Sequence, residues 1–245
     1  MGMSCRTTGR EWGSERGEGI EEIEERSLTG AGTMGSEREL AGRVRESLAG
    51  LARGREVQET LEEVLEAVGE ASGCESVGIR WRAGEDYPYH VTRGFGRDFV
   101  VREGPLCERD AAGLILRHRD GTAQLACVCG AVVQGRTDAR QPFFTEGGSF
   151  WTNGTTRLLA ESPPVKTAGI RTRNYCNEVG YESVALIPLK AGEEIHGLLQ
   201  LNSRTPGRFT VERIREYEGL AREIAEAVVP KLASGEPGGR PPSAA

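Results

Sequence analysis

The spacing of apolar residues changes twice along this chain, and this change restricts the folds that it can adopt. Apolar residues recur every three or four positions over 57–71, alternate with polar residues over 76–81 and again over 183–201, and return to helical spacing over 211–228. The order is therefore helix, hairpin, irregular middle segment, hairpin, helix. Because short turns join neighbouring strands, the pattern predicts an antiparallel sheet. Because the helices lie at the two ends, it predicts an α+β layer fold.

Composition separates a folded middle from two polar ends. Residues 1–35 and 233–245 are rich in Gly, Glu, Ser, Arg and Pro, with few apolar residues to bury. Such segments cannot offset the entropy lost on ordering, so both are predicted to be disordered. Residues 36–55 carry a narrow apolar stripe and are predicted to form a helical linker or dimerisation helix. Residues 56–232 are predicted to form the single folded domain.

Net charge and hydropathy exclude several kinds of function. The 31 basic and 37 acidic residues give a net charge of −6, whereas nonspecific nucleic-acid binding requires a basic surface. No apolar run reaches the roughly 18 residues that a membrane-spanning helix needs. The N-terminus lacks the apolar stretch of a secretory signal. We therefore expect a cytoplasmic protein with no nucleic-acid partner and no membrane partner.

Four of the six cysteines lie in the irregular middle segment: Cys107, Cys127, Cys129 and Cys176. In the cytoplasm, clustered thiols more often bind metal or react than form structural disulfides. Four sulfurs can complete a zinc shell or hold an iron–sulfur cluster if the fold brings them together. The spacing matches none of the common short metal motifs, however. Two alternatives stay open: reactive thiols that alternate between reduced and disulfide forms, and buried thiols without chemical function.

Histidine is scarce, with only three residues in the chain. A haem site would therefore depend on a thiolate ligand. The pair Cys127 and Cys129 flank a single valine, and in an extended segment both sulfurs would point to the same side. This geometry would favour a shared metal or a joint reaction.

A flexible, polar and aromatic stretch at 146–153 could wrap a small ligand. Phe150 and Trp151 would form its walls, and Ser149 and Asn153 would donate hydrogen bonds. The alternative is a loop whose aromatic rings fill the core.

Two arginines, Arg171 and Arg173, lie close in sequence to Cys176. Positive neighbours lower the pKa of a thiol, which favours both metal ligation and oxidation. The same arginines could bind an anionic ligand, although surface ion pairs are the usual role of such residues.

The second hairpin and the segment after it resemble the closing part of a GAF domain. The residues that carry the resemblance are Gly180–Leu189, Ile195–Asn202 and Arg208–Glu212, the last succeeded by a long helix. The resemblance covers about 56–232. The middle segment, with Cys127–Gly130 and Pro142–Asn153, is similar to GAF sensor modules that are often attached to bacterial and archaeal histidine kinases.

The resemblance implies a twisted antiparallel sheet with helices on one face and a loop-rich segment over a ligand pocket on the other. It also implies dimerisation through the terminal helices and a signalling partner such as a histidine kinase. We therefore expect a noncatalytic sensor of redox state, or of a cofactor or ligand, acting through the cysteines.

The same resemblance allows two alternative functions. Some GAF-fold enzymes use paired cysteines to reduce free methionine sulfoxide, although the Asp-x-His and Gly-His-Ile-Ala-Cys-Asp motifs of that group are missing from this sequence. The second alternative function is a module that binds a small ligand and in which the cysteines are purely structural.

Overall fold

The computed structural model describes residues 25–161 and 172–233, with side chains from Arg38 onward. The chain divides after Gly35, and the first unit contributes only the start of one helix to the described residues. That helix begins at Glu25, well before the predicted start at residue 36. Residues 25–35, predicted to be disordered, therefore belong to a helix, and no proline interrupts it over this stretch. Residues 1–24 and 234–245, also predicted to be disordered, lie outside the described residues.

The described elements have the predicted order, with short helices added in the middle. In chain order they are α1 (Glu25–Ala52), α2 (Val57–Ser72), β1 (Ser76–Trp81), β2 (Tyr89–Arg93), α3 (Arg97–Glu103), α4 (Cys127–Val133), β3 (Phe150–Thr152), α5 (Thr155–Glu161), α6 (Tyr175–Glu178), β4 (Ser183–Ala191), β5 (Glu194–Ser203) and α7 (Val211–Ala233). The strands pair antiparallel in the order β2-β1-β5-β4-β3. Both predicted hairpins are present.

The long helices bury their apolar faces against one face of the sheet. α2 ends where Gly73 adopts a left-handed conformation, with φ 62°, and its N–H donates to the Glu70 carbonyl. The start of α7 is capped by Thr210, whose hydroxyl accepts from the Arg213 N–H at 3.3 Å. The residues of α1 from Leu40 to Leu51 that recur at helical spacing join the same apolar cluster. These contacts confirm the predicted α+β fold with helices on one face.

Strand alternation separates this core from a second one. In β5, Leu199 and Leu201 pack on the helix side, whereas Leu198 belongs to the cluster on the opposite side. Gln200 and Asn202 share the side of Leu198, so polar side chains line that face of the sheet.

The irregular middle segment covers this second face. It contributes a ribbon over 106–125, joined by the bridges Cys107 to Leu125 and Arg109 to Ile115. Stacked aromatic rings fill the space at one end, with ring centroids of Phe95 and Phe99 4.7 Å apart. None of the helices in the described part of the chain is both long enough and apolar enough to cross a membrane.

Candidate functional site: a cavity bordered by three thiols

Helix α4 places the first two cysteines. It begins at Cys127, so the Cys-x-Cys segment is helical rather than extended as the spacing suggested. Cys129 is buried and Cys127 is partly exposed. Gly130 allows this placement, because a Cβ at that position would lie 2.6 Å from the Cβ of Leu125. The close contact fixes α4 against the end of the ribbon.

The backbone is strained where the cavity is. Among residues 25–161 and 172–233, Cys127 with φ 65° and Asn174 with φ 58° are the non-glycine residues in the left-handed region. Both line the same cavity. Asparagine adopts this conformation readily, whereas for most side chains it costs about 1–2 kcal/mol. Strain of this kind concentrates at functional sites, so it is independent evidence for a role of Cys127.

The cavity lies between the sheet, α4, α5 and the segment that contains α6. Its volume is about 70 Å³, and its exposed lining is almost entirely apolar. Three cysteines border it together: Cys127, Cys129 and Cys176. The remaining lining residues are Val128, Phe150, Thr155, Leu158, Leu159, Thr172, Asn174, Tyr175, Asn177, Val184 and Leu186.

The three thiols differ in their ionisation. The pKa of Cys127 is lowered to about 6, chiefly because the Cys129 thiol hydrogen-bonds to its sulfur, with help from the Arg173 backbone N–H. The partner thiol responds in the opposite direction: the pKa of Cys129 lies well above its ordinary value, because of this hydrogen bond and of burial. Burial raises the pKa of Cys176 to about 12, and the charge of Cys127 acts in the same direction. At neutral pH the site therefore holds one thiolate and two protonated thiols.

A buried arginine lies beneath the thiols on the sheet. Arg80 is fully buried on β1, and its guanidinium carbon stands 3.7 Å from the centroid of the Tyr89 ring. It donates to the carbonyls of Glu103 and Gly104, each at 2.8 Å, and of Tyr87 at 3.2 Å. Its positive charge opposes, without cancelling, the rise in the pKa of both Cys129 and Cys176. Arg80 thus fixes the chain around α3 and adds positive charge below the cavity.

Polar side chains without complete partners surround Arg80. Tyr89 donates to Gln200 Oε1 at 2.9 Å, and Gln200 Nε2 donates to Asn202 Oδ1 at 3.0 Å. The atoms Asn202 Nδ2, Glu103 Oε1 and Arg80 Nε are buried and find no hydrogen-bond partner within the described residues. A buried polar atom without a partner costs about 1–3 kcal/mol; away from the cavity, Thr60 Oγ1 and His90 Nε2 are two further examples. Two of these residues, Glu103 and Arg80, act on the thiols through their charges.

The fourth predicted cysteine lies elsewhere. Cys107 belongs to the 106–125 ribbon, where its Sγ donates to the Glu85 carbonyl at 3.5 Å. Burial raises the pKa of its thiol to about 11. Cys107 does not border the cavity, so three of the four predicted cysteines lie together at this site. Cys107 lies away from the cavity because the antiparallel bridge between Cys107 and Leu125 holds it in the ribbon.

This separation bears on the metal predictions. Over the described ranges, no group of three or more His, Cys, Asp or Glu side chains is arranged to hold a metal ion. Ligation of zinc or of an iron–sulfur cluster by Cys107, Cys127, Cys129 and Cys176 stays a prediction. Haem ligation by a thiolate stays a prediction.

The stretch predicted to wrap a ligand contains a strand instead. β3 pairs with β4, so Phe150 faces the cavity and Trp151 packs toward the helix-side core. Two aromatic residues adjacent in a strand cannot wall the same pocket. Ser149 donates to Glu218 of α7 at 2.6 Å. Asn153 donates to the Phe209 carbonyl at 2.7 Å and accepts from the Phe209 N–H at 2.9 Å.

Of the two predicted arginines, Arg173 lies beside the site. It donates to the Pro105 carbonyl at 2.8 Å, and its Nη1 is 3.8 Å from Oε2 of the buried Glu103. Arg171 lies outside the described residues. Arg173 therefore connects the α6 segment to α3, next to the thiols.

Sequence reasoning did not select Arg80, Glu103, Gln200 or Asn202. Arg80, Gln200 and Asn202 alternate with apolar residues along their strands, and such alternation usually indicates a face exposed to solvent. The sequence around each strand does not show that a distant segment of the chain covers this face. The available signal was the combination of a charged residue on β1 with a long irregular segment that has to cover one face of the sheet.

The fold has known counterparts. The sequence model of the GAF domain matches residues 56–228. The chain belongs to the GAF domain family. Comparison with curated proteins finds no match.

Solved structures support the same fold. The GAF domain of an Acinetobacter phosphoenolpyruvate-protein phosphotransferase is 12% identical, covers 83% of this chain and 96% of its own, and gives a TM-score of 0.53. The corresponding GAF domain from Coxiella burnetii is 15% identical, covers 80% of this chain and 98% of its own, and gives a TM-score of 0.50. Free methionine-R-sulfoxide reductase from Neisseria meningitidis in complex with its substrate is 14% identical, with coverages of 78% and 89% and a TM-score of 0.48. At these identities the two phosphotransferase GAF domains, with TM-scores of 0.53 and 0.50, show the fold alone.

Proposed function

We propose that this GAF domain is a noncatalytic sensor module in which Cys127 is the reactive group and Cys129 and Cys176 are its resolving partners. One observation carries the proposal: three thiols border a single cavity under the loop-rich layer, where their surroundings lower the pKa of Cys127 and raise that of Cys176. A thiolate attacks oxidants, whereas a protonated thiol reserves its reactivity until a partner sulfur is oxidised. If the three thiols had equal, ordinary pKa values, none of them would be favoured as the one that attacks the oxidant first.

The oxidation that we propose uses a hydroperoxide as oxidant. The Cys127 thiolate attacks one peroxide oxygen, the O–O bond breaks, and the leaving oxygen takes a proton to give water or an alcohol. The sulfenic acid at Cys127 then reacts with the thiol of Cys129 or Cys176. A disulfide forms, water leaves, and two electrons have passed from the two sulfurs to the peroxide.

A path from the cavity to α7 is provided by β3. Phe150 lines the cavity, while its neighbours Ser149 and Asn153 hold the Glu218 carboxylate and the backbone of Phe209. Thr145 also donates to Glu218. A change at the thiols that moves Phe150 therefore acts on α7 at two points, one of them just before its first turn.

The output that we propose is a change in how the terminal helices pack. α1 and α7 are linked by the Arg45–Glu223 ion pair, with nitrogen and oxygen 2.7 Å apart. In the proposed homodimer these helices would contact a second copy, and a histidine kinase or a similar signalling protein would read the change. The cytoplasm, where glutathione keeps thiols reduced, is the compartment that suits such a switch.

Oxidation in solution tests the proposal. Treatment of the full chain with increasing hydrogen peroxide, followed by peptide mapping, should place the first oxidation at Cys127. The variant Cys127→Ser should lose this step, and Cys107→Ser should retain it, since Cys107 lies in the ribbon. Equal oxidation of Cys107 and Cys127 in the wild type would reject the assignment.

A thiol reductase is a second candidate, because the same arrangement of one nucleophilic and two resolving thiols would serve to reduce a sulfoxide. Turnover of free methionine sulfoxide with a dithiol reductant would establish it. If turnover occurs and Cys127→Ser abolishes it, the enzyme hypothesis replaces the noncatalytic one. If oxidation at Cys127 proceeds without turnover, the sensor hypothesis stands.

A further inference from the structure

The lining of the thiol cavity is mostly apolar, whereas the layer of side chains beneath it is polar. Apart from Thr155, the side chains that border the cavity from the sheet and α5 are apolar: Phe150, Val184, Leu186, Leu158 and Leu159. Leu159 retains 37% of its surface exposed, which is unusual for a leucine in this domain. The polar layer of Arg80, Glu103 and Asn202 is not part of the lining.

Two polar side chains that border the cavity, Thr155 and Asn177, are bound to each other. Thr155 donates to the Tyr181 carbonyl at 2.6 Å, and Asn177 Nδ2 donates to Thr155 Oγ1 at 3.0 Å and to Thr156 Oγ1 at 2.8 Å. These groups are engaged with the protein, so a ligand in the cavity gains little from hydrogen bonds to them. Burial of apolar surface would supply its binding energy.

We propose that the cavity binds small apolar electrophiles of the α,β-unsaturated carbonyl class, and that these add covalently to Cys127. The proposal rests on the assignment of Cys127 as the reactive thiol and names the kind of signal that it meets. A peroxide, which is small and polar, gains nothing from the apolar walls. An enal or enone of matching length buries its hydrocarbon chain against Leu158 and Leu186 while its β-carbon lies near the sulfur.

The addition needs no external oxidant or reductant. A lone pair of the Cys127 thiolate forms a C–S bond to the β-carbon, and the electrons of the C=C bond move to the carbonyl as an enolate. The enolate carbon then takes a proton from water or from a neighbouring thiol. The product is a thioether, and the oxidation states of the site sulfurs do not change.

The experiment compares a series of straight-chain 2-enals of increasing length on the full chain. The rate of adduct formation at Cys127, followed by mass spectrometry and divided by the rate with free glutathione, should rise about fourfold for each added methylene until the cavity is full. Iodoacetamide, which is polar, reports the reactivity of the thiolate itself. Leu158→Gln should flatten the length dependence, and its own iodoacetamide rate normalises the enal rates for any change in the reactivity of the thiolate.

A second variant and two further outcomes complete the test. Should Leu158→Gln fail to fold, Leu159→Ser provides the same comparison at a more exposed position. A flat length dependence in the wild type, with Cys127 still reactive toward iodoacetamide, overturns the apolar-electrophile proposal and leaves the sensor proposal intact. A Cys127 that does not react with iodoacetamide faster than Cys107 overturns both.

Discussion

The two faces of the sheet are built on different principles. On the helix side, Ile187, Leu199 and Leu201 are fully buried in an apolar core formed with α2 and α7. On the other side, the same strands present Arg80, Gln200 and Asn202 to an irregular cover, and buried polar atoms there lack partners among the described residues. The first face supplies stability through close packing. The second face encloses three thiols whose pKa values are shifted in opposite directions.

Arg80 offers the largest test of this contrast. Arg80→Met removes the donors for three carbonyls and leaves Glu103 with less compensating charge, so it should cost about 3–5 kcal/mol in the free energy of unfolding. Arg82→Met, on the same part of the chain but in an exposed ion pair with Glu194, should cost less than about 1 kcal/mol. Urea unfolding of both variants gives the comparison. Equal losses would show that the loop-side face is not organised around Arg80.

Matched truncations compare the two faces directly. Leu199→Ala empties a site in the closely packed core and should cost about 2–5 kcal/mol. Leu186→Ala lies on the cavity side, where its neighbours already border open space, so its cost should fall at the low end of that range. A larger loss for Leu186 than for Leu199, in the same urea experiment, would contradict the assignment of stability to the helix side.

The β3 edge joins the two faces, and Glu218 tests this connection. Glu218→Gln retains the size of the side chain but weakens the charge-assisted bonds from Thr145 and Ser149, at a cost of about 1–2 kcal/mol. In the wild type, we expect peroxide to oxidise Cys127 and to change the rate of proteolysis of α7. In this variant Cys127 should still be oxidised, but the rate of proteolysis of α7 should not change. Arg215→Gln, on the same helix and without these bonds, serves as the control. Retention of the α7 response in Glu218→Gln would eliminate β3 as the path.

The ionisation of Cys127 gives the last test, which is kinetic. Its alkylation rate should reach half of its plateau near pH 6, because the pKa of the thiol is lowered to about 6. Cys129→Ala removes the stabilising thiol and should move this midpoint upward, toward the ordinary value of about 8.5. The lowered pKa also contributes stability that is fully present above about pH 8.5 and is lost as the pH falls through 6. An unchanged midpoint in Cys129→Ala would remove Cys129 as the cause.

The sequence allowed the fold to be predicted much better than the site. Alternation in β4 and β5 and the helical spacing that ends at Gly73 are local patterns, and both appear in the structure as predicted. The thiols depend on contacts between segments far apart in the chain. Cys176 reaches Cys127 through the α6 segment, and Cys107 departs because the ribbon pairs it with Leu125. Neither fact is encoded in the spacing of the cysteines.

Disulfide mapping after mild peroxide treatment of the full chain tests the central claim most directly. With Cys127 as the reactive thiol, the first disulfide should join Cys127 to Cys129 or Cys176, while Cys74 and Cys107 remain reduced. The buried thiols Cys74 and Cys107, each with a pKa raised to about 11, are the internal controls. A first disulfide that includes Cys107, or the absence of any bond to Cys127, would contradict the three-thiol site.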